Sequence, residues 1–482
     1  MASLVHQEFQ QGLREANLAS FKVGDIADLD DDGKSRRTGT VWTASAHIIT
    51  AIIGSGVLSL AWAMAQLGWI TGIATLCIFS CITLYTSGFL ADSYRSPDPV
   101  TGNRNHTYME AVKANLGGNM YKICGLIQYT YMGGLAVGYT ITVSISMVSI
   151  LKSNCFRERG RGAPCKYSLN PYMIGMGIIE ILLSQIPNLH KMSWLSFIAA
   201  IMSFGYASIG LGLSLAKISS GKGERTTLTG VEIGVNLSEA DKLWTMLRAI
   251  GDVAFACSYS GVLIEIQDTL KSSPPENKTM KKASMIAILI STAFYMMSGC
   301  FGYAALGNNA PGNMLTDFGF LEPFWLIDLA NIFVIVHLVG AYQVLSQPVL
   351  NAVESWARMR WPESRFVTNE YTLDIIGKKT IRVNLLRLTW RTVYVVIITV
   401  VAMGFPFFND VLALLGAVGY WPMSVYFPVE MHIARKKIQR QTVRWFSLQL
   451  MNLVCLLVSL AAVCGAIQGL SHGLQTYKPF SF

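Results

Sequence analysis

His47-Ile-Ile-Thr-Ala-Ile-Ile-Gly54-Ser55-Gly56-Val57-Leu58 places two glycines, one residue apart, in the middle of an apolar stretch that begins near Val41. Glycine is unfavourable inside a regular helix and permissive of other backbone angles, so a helix here is expected to come apart at Gly54. A later apolar stretch carries Ala256-Cys257-Ser258-Tyr259-Ser260-Gly261, a second small and polar interruption at comparable depth. A lone Gly-x-Gly serves close packing of membrane helices equally well; the second interruption favours unwinding at both. Non-helical backbone at membrane depth survives only when it is buried in protein or lines a wet cavity. Two such breaks therefore imply one shared cavity.

Apolar stretches long enough to span a bilayer, roughly 17 to 25 residues each, recur on both sides of these breaks. They are read at 41–66, 69–94, 119–151, 170–187, 191–216, 243–268, 283–306, 322–351, 385–405, 410–429 and 445–470. The composition agrees: 52% of the 482 residues are apolar and 14% charged, against roughly 25% charged in an ordinary soluble protein. The predicted class is an all-α integral membrane protein of eleven transmembrane helices. Five spans separate the first broken helix from the second, and an odd number per repeat turns the second half over in the membrane. This gives a five-plus-five inverted-repeat core, with discontinuous helices one and six, plus one extra C-terminal helix. The divisions are a cytosolic tail (1–40), a first repeat (41–217), an extracellular loop (218–242), an inverted second repeat (243–432) and a last span with an extracellular C-terminus (433–482).

The formal charge of +9 does not point to nucleic acid, because the basic residues are scattered through short loops between spans. They instead set orientation: Arg358, Arg360, Arg365, Lys378, Lys379 and Arg382 lie in the longest loop, 352–384, and the turn Phe405-Pro406-Phe407-Phe408 carries none. Placing that loop in the cytosol puts the N-terminus there too. Cys155 and Cys165 then share one exterior polar loop, where a disulfide can form and persist. Of three sequons, at Asn105, Asn236 and Asn277, only Asn236 is left outside and open to glycosylation. Residues 106–116 read as a short amphipathic helix along the cytosolic surface.

The breaks carry the chemistry. Unpaired amides around Ile53, Gly54, Ser55 and Gly56 open the second half of span one, and the positive end of its dipole suits a carboxylate. Carbonyls around Ala256, Cys257, Ser258 and Tyr259 end a half-helix and suit an ammonium group. Together they describe a receptor for an α-amino acid. Side-chain selectivity is expected from Tyr129, Tyr131, Asn331 and Tyr420, although each has an ordinary helix-packing role available.

Ionisable groups inside a membrane are costly and so become functional candidates. His47, two turns before Gly54, should look toward the same cavity, and His337 sits near the centre of span eight. Both suit proton coupling, and both have a neutral, carbonyl-bonded alternative. Asp252 and Arg248, four apart, are expected to pair along one helix face. Glu265 and Asp268 are expected to meet the cytosolic half of span one as a gate. Asp252 and Glu265 thus join the histidines as proton-coupling or gating candidates. Glu180 and Asp328 stay unassigned. No zinc spacing or nucleophile elbow occurs, so neither a metal site nor an enzyme is expected.

Thr43-Ala-Ser-Ala-His47-Ile-Ile-Thr-Ala-Ile-Ile-Gly-Ser-Gly-Val-Leu-Ser-Leu-Ala-Trp62 strongly resembles the first helix of plant amino acid permeases of the amino acid/auxin permease family. So do Ser184-Gln-Ile-Pro-Asn188, Val262-Leu-Ile-Glu-Ile-Gln-Asp-Thr-Leu270, Phe301-Gly-Tyr-Ala-Ala-Leu-Gly-Asn-Asn309 and Tyr426-Phe-Pro-Val-Glu-Met431. The resemblance implies a broad-specificity proton and amino acid symporter of the plasma membrane, with protons as coupling ion, no other cofactor, and the lipid bilayer and an amino acid as its partners. An auxin carrier and a non-transporting amino acid receptor are the alternatives.

Overall fold

Helix follows helix along the chain, because a long apolar segment leaving water can satisfy its backbone only internally. The computed structural model describes residues 29–480 except 35, 161–162, 186–192, 235–237, 317–318, 321, 376–378 and 478–479. Among the described residues, nine helical segments are long and apolar enough to cross a membrane. The helices are α1 (Val41–Ile52), α2 (Leu60–Asp92), α3 (Tyr108–Leu116), α4 (Gly118–Arg159), α5 (Asn170–Ser184), α6 (Ser193–Ser219), α7 (Glu239–Ala256) and α8 (Leu263–Gln267). Then come α9 (Glu276–Leu306), α10 (Phe324–Arg360), α11 (Leu385–Gly404), α12 (Phe408–Tyr420), α13 (Phe427–Lys436) and α14 (Val443–Thr476).

Several boundaries differ from those expected. The first span stops at Ile52 and resumes as a 3-10 turn, Ser55–Ser59. Its continuation joins the second expected span as one run, α2, turned at Gly68 with φ 75. A Cβ at Gly68 would lie 2.2 Å from the amide nitrogen of Gly230, so only glycine lets the 218–242 connection dock there. That connection donates from Val231 to the carbonyl of Ala65 at 3.0 Å. α4 and α10 outrun their expected ends at 151 and 351, since their last turns are polar and basic and carry no hydropathy signal. Arg358 and Arg360 at the end of α10 instead complement its dipole. The expected loop 352–384 holds a hairpin, β3 (Glu370–Ile375) antiparallel to β4 (Lys379–Asn384), with Glu370 opposite Asn384. A smaller pair, β1 (Arg95–Ser96) and β2 (Asn103–Arg104), precedes α3. A π-helical turn, Trp421–Tyr426, links α12 to α13.

The short amphipathic helix is present as α3, capped by Thr107 and burying Tyr108, Ala111 and Val112. The Cys155–Cys165 disulfide is formed, with the Cα atoms 6.1 Å apart. Asn105 and Asn277 use their side-chain amides internally, toward Ser93 and Asp92; Asn236 lies outside the described residues.

Packing centres on α2, which lies against α7 and α9, and on α10, which lies against α4 and α6. α12 and α14 both pack on α7. Small residues allow this closeness: a Cβ at Gly416 of α12 would lie 2.0 Å from the carbonyl oxygen of Gly251 on α7. α14 turns Leu453, Val454, Leu457, Leu460 and Ile467 outward, a face suited to lipid. Gly416→Val should force α12 off α7 and destabilise the fold by about 1–3 kcal/mol or more. Thermal unfolding of the purified protein in detergent measures this, and an unchanged midpoint would refute the contact.

Candidate functional site

The chain breaks where glycine predicts. Gly54 is extended (φ −121, ψ −151) between α1 and the 3-10 turn. Its amide donates to the Ile52 carbonyl at 2.8 Å, and the next bond runs from Val57 back to Gly54. Ser55 and Gly56 are therefore the first residues of a helical run, whose amides have no partner within it. Both are buried. The hydroxyl of Tyr295 on α9 donates to the Ile52 carbonyl and holds the broken end.

α7 ends at Ala256, and Cys257 to Tyr259 pass irregularly into a second 3-10 turn, Ser260–Val262. Thr83 of α2 donates to the Cys257 carbonyl at 3.3 Å. A Cβ on Gly56 would sit 3.1 Å from Cα of Ala256, so the two breaks touch. A cavity beside them is lined by Ile52, Ser80, Thr83, Cys257, Ser291 and Tyr295. Sequence reading singled out only Cys257 among these. Hydroxyls in apolar helices were the available signal, but Ser80, Thr83 and Ser291 are too common in type to stand out.

Of the residues expected to select side chains, Tyr131 turns toward Ser258 at the second break. Tyr420 is committed elsewhere, its hydroxyl donating to the Phe79 carbonyl and lying 3.0 Å from the hydroxyl of Thr83. Asn331 donates to the carbonyls of Leu315 and Ile327, tying α10 to the segment before it. Tyr129 is half-buried on α4, and among the described residues no hydrogen bond joins it to the breaks.

His47 is exposed, off the packed face of α1 formed by Ala44, Ser45, Ile48 and Ile52. It does not look into the cavity with Gly54, because unwinding at Ile53 ends the helical phase that related them. His337 does reach the break. Its Nδ1 bonds the Ala199 carbonyl at 2.7 Å, and its Nε2 lies 4.0 Å from where a Gly54 Cβ would stand. Glu180 is buried against Gln343 of α10.

Two clusters of charged side chains lie on either side of the breaks. Near the chain's start, Arg37 contacts the carboxylates of Asp30 at 3.1 Å, Asp32 at 2.7 Å and Asp268 at 2.9 Å. Asp268 also accepts from Tyr94 at 2.6 Å. Arg104 and Arg95 bind Asp31 and Glu276 beside it. Gly39 and Leu270 form a parallel bridge: the Gly39 amide donates to Thr269, and Lys271 donates back to Gly39. Neither acid meets the first half of span one as expected: Asp268 meets Arg37 ahead of α1, and Glu265 faces the amide of Tyr108 at 3.5 Å. Burial works against the charge on Asp32, but hydrogen bonds from Arg37 and the Lys34 amide outweigh it and hold the carboxyl below its usual 3.8.

At the opposite end Arg248 and Asp252 do not pair. Arg248 reaches across to Asp410 of α12 at 2.5 Å, over the Trp62 ring at 4.9 Å. Tertiary packing supplies a closer carboxylate than the helix spacing does.

Residues 37–472 match the family described as transmembrane amino acid transporter protein. The chain belongs to this family. It is 57% identical to amino acid permease 6 of Arabidopsis thaliana, over 97% of this chain and 98% of that one. It is 56% identical to amino acid permease 1 of the same plant, over 96% and 95%. Two solved structures share its fold at 12% identity. Mhp1 in an inward-facing conformation has a TM-score of 0.52 over 92% of this chain and 93% of that one. MhsT in complex with L-phenylalanine has a TM-score of 0.50 over 90% of this chain and 100% of that one.

In this family member the Arg37 cluster should hold its end closed. A depressed carboxyl such as Asp32 contributes fully above pH 3.8 and is lost only as pH falls through its lowered value, so the closure persists at neutral pH. Arg37→Ala should raise thiol labelling of a cysteine placed at the buried Ser45, and unchanged labelling would show that the cluster closes nothing. Gly56→Val should push the breaks apart at an overpacking cost of about 1–3 kcal/mol, lowering uptake about tenfold or more at normal surface level. Gly54→Ala, with open space beside it, should cost far less; equal losses would refute the contact.

Proposed function

We propose that the chain is a secondary transporter importing amino acids together with protons, by alternating access. The observation that carries this reading is the meeting of the two breaks at Gly56 and Ala256. There the orphan amides of Ser55 and Gly56 face the substrate carboxylate, and the carbonyl end of α7 receives its ammonium group. The substrate side chain points toward Ser80, Thr83 and Ser291, which line a cavity now no larger than a water molecule that widens to admit it. The names of the Arabidopsis permeases support the same substrate class.

Alternating access follows from a site with a tie at each end, Arg37–Asp268 and Arg248–Asp410, which open in turn. Splitting the first long run at the turn at Gly68, so that α1 and Ser55–Leu67 make one crossing and the rest of α2 the next, and adding the shorter α5 to the other eight membrane-length helices, the chain crosses the membrane eleven times, in two inverted repeats (41–217 and 243–432) and a final span. Its N-terminus is cytosolic, its C-terminus extracellular, and its home the plasma membrane. His337 at the first break, the buried Asp252 and the half-buried Glu265 are the groups available to carry the proton; His47 is exposed on α1 and is the further candidate.

Uptake into vesicles should be saturable, faster at acidic external pH, and electrogenic, since one charge moving down a membrane potential gains about 2.3 kcal/mol per 100 mV. Radiolabelled uptake across the twenty amino acids, with auxin as competitor, measures this. Binding without uptake would make the chain a receptor, and auxin displacing every amino acid would make it an auxin carrier. Uptake driven by sodium and indifferent to pH would overturn the proton coupling.

A further inference from the structure

The carboxyl of Asp252 stands out among the ionisable groups of the described residues. It is fully buried on α7, one turn from the break at Ala256 and on the side toward the Arg248–Asp410 tie. Its Oδ2 accepts from the side-chain amide of Asn409 at 3.1 Å. Its Oδ1 is buried with no hydrogen-bond partner. An ionised carboxylate in a dry interior needs a partner for each oxygen, and the natural partner is present: Arg248, four residues earlier on the same helix, is within side-chain reach. Yet Arg248 is turned away, onto Asp410, and its own Nε is also buried without a partner. One guanidinium thus stands between two carboxyls and is committed to only one.

The charged surroundings are few. Arg248 comes from α7 itself, and Asp410 from α12, next to Asn409. His472 on α14 acts on Asp410. On the α2 side the neighbour is the ring of Trp62, over which Arg248 lies. The described residues bring no further charged group to Asp252 from these helices or from the Ser55–Ser59 turn.

Resting on the proton-coupled reading above, we propose that Asp252 is the residue that binds the transported proton, and that Arg248 converts its charge into closure of the Trp62–Asp410 end. With a proton on Asp252, Arg248 is released to Asp410 and draws α12 against α7, which is the arrangement observed. When the O–H bond of Asp252 breaks and the proton passes to water on the opposite side, the carboxylate pulls Arg248 back along its own helix. α12 is then free, and this end opens. Only a proton moves, and the electron pair of the broken bond stays on the Asp252 oxygen. Asn409 is the positioning residue that keeps Oδ2 fixed in both states.

The consequence is an end that stays shut when the charge is removed. Asp252→Asn holds the neutral state permanently. In this variant a cysteine at Trp62 should stay protected from thiol labelling at acidic and neutral external pH alike. It should lose concentrative uptake, which one coupled charge supports at roughly fifty-fold per 100 mV. Should Asp252→Asn reach the surface poorly, Asp410→Asn provides the second reading. With the closing partner gone, a cysteine at Trp62 should label equally at acidic and neutral external pH, whereas in the parent protein acid should protect it.

Wild-type vesicles run in parallel keep two failures distinct. If their uptake ignores the proton gradient, the proton-coupled reading falls first and this one with it. If it follows the gradient while Asp252→Asn accumulates amino acid with the parental pH profile, the assignment of Asp252 is overturned alone. Protection of the Trp62 cysteine that stays pH-dependent in Asp410→Asn would likewise overturn the role of Arg248.

Discussion

An unpaired peptide group cannot be left facing lipid, and the rest of the molecule is arranged around that constraint. Two helices lose their hydrogen-bond ladder in the interior, at Gly54 and after Ala256, and each is sheltered by the other. Gly56 lies against Ala256 so closely that a side chain there would have to displace its neighbours. Tyr295 and Thr83, from the neighbouring α9 and α2, take up the carbonyls of Ile52 and Cys257. Four elements therefore converge on one irregular stretch of main chain. The cavity lies among them because that is where directional polar groups remain uncommitted.

The breaks were legible in advance because the signal is chemical and local: glycines and small polar residues have no reason to interrupt an apolar helix unless the helix itself stops. The disulfide, the surface helix at 108–116 and most spans were readable for similar reasons of local pattern. Hydropathy places span ends short, at 151 and 351, where α4 and α10 continue past their apolar portions, since it is silent about a helix that has left the hydrocarbon. The hairpin in 370–384 was hidden within a region read only for charge.

Side-chain partners were harder to foresee, because they depend on which helices become neighbours. Spacing along one helix nominated Asp252 for Arg248, but α12 delivers Asp410. Spacing also aligned His47 with Gly54, but the intervening unwinding cancels a phase relation that holds only for an unbroken helix. Asp268 and Glu265, three residues apart, have different fates: one meets the arginine ahead of α1 and the other meets α3. Arg37 carries no signal of its own, lying where the apolar pattern has not yet begun. Polar residues just outside a span deserve the same scrutiny as those within it.

The two-stranded contact between Gly39 and Leu270 is a small piece of main-chain pairing. It joins the strand entering α1 to the strand leaving α8, the very segments that lie beyond the breaks. Backbone bonds of this kind resist shear better than a contact between side-chain tips. The two half-helices α1 and α8 are accordingly joined by main chain as well as by side chains, each beyond its own break, so that these two pieces of interrupted helix form one continuous backbone unit.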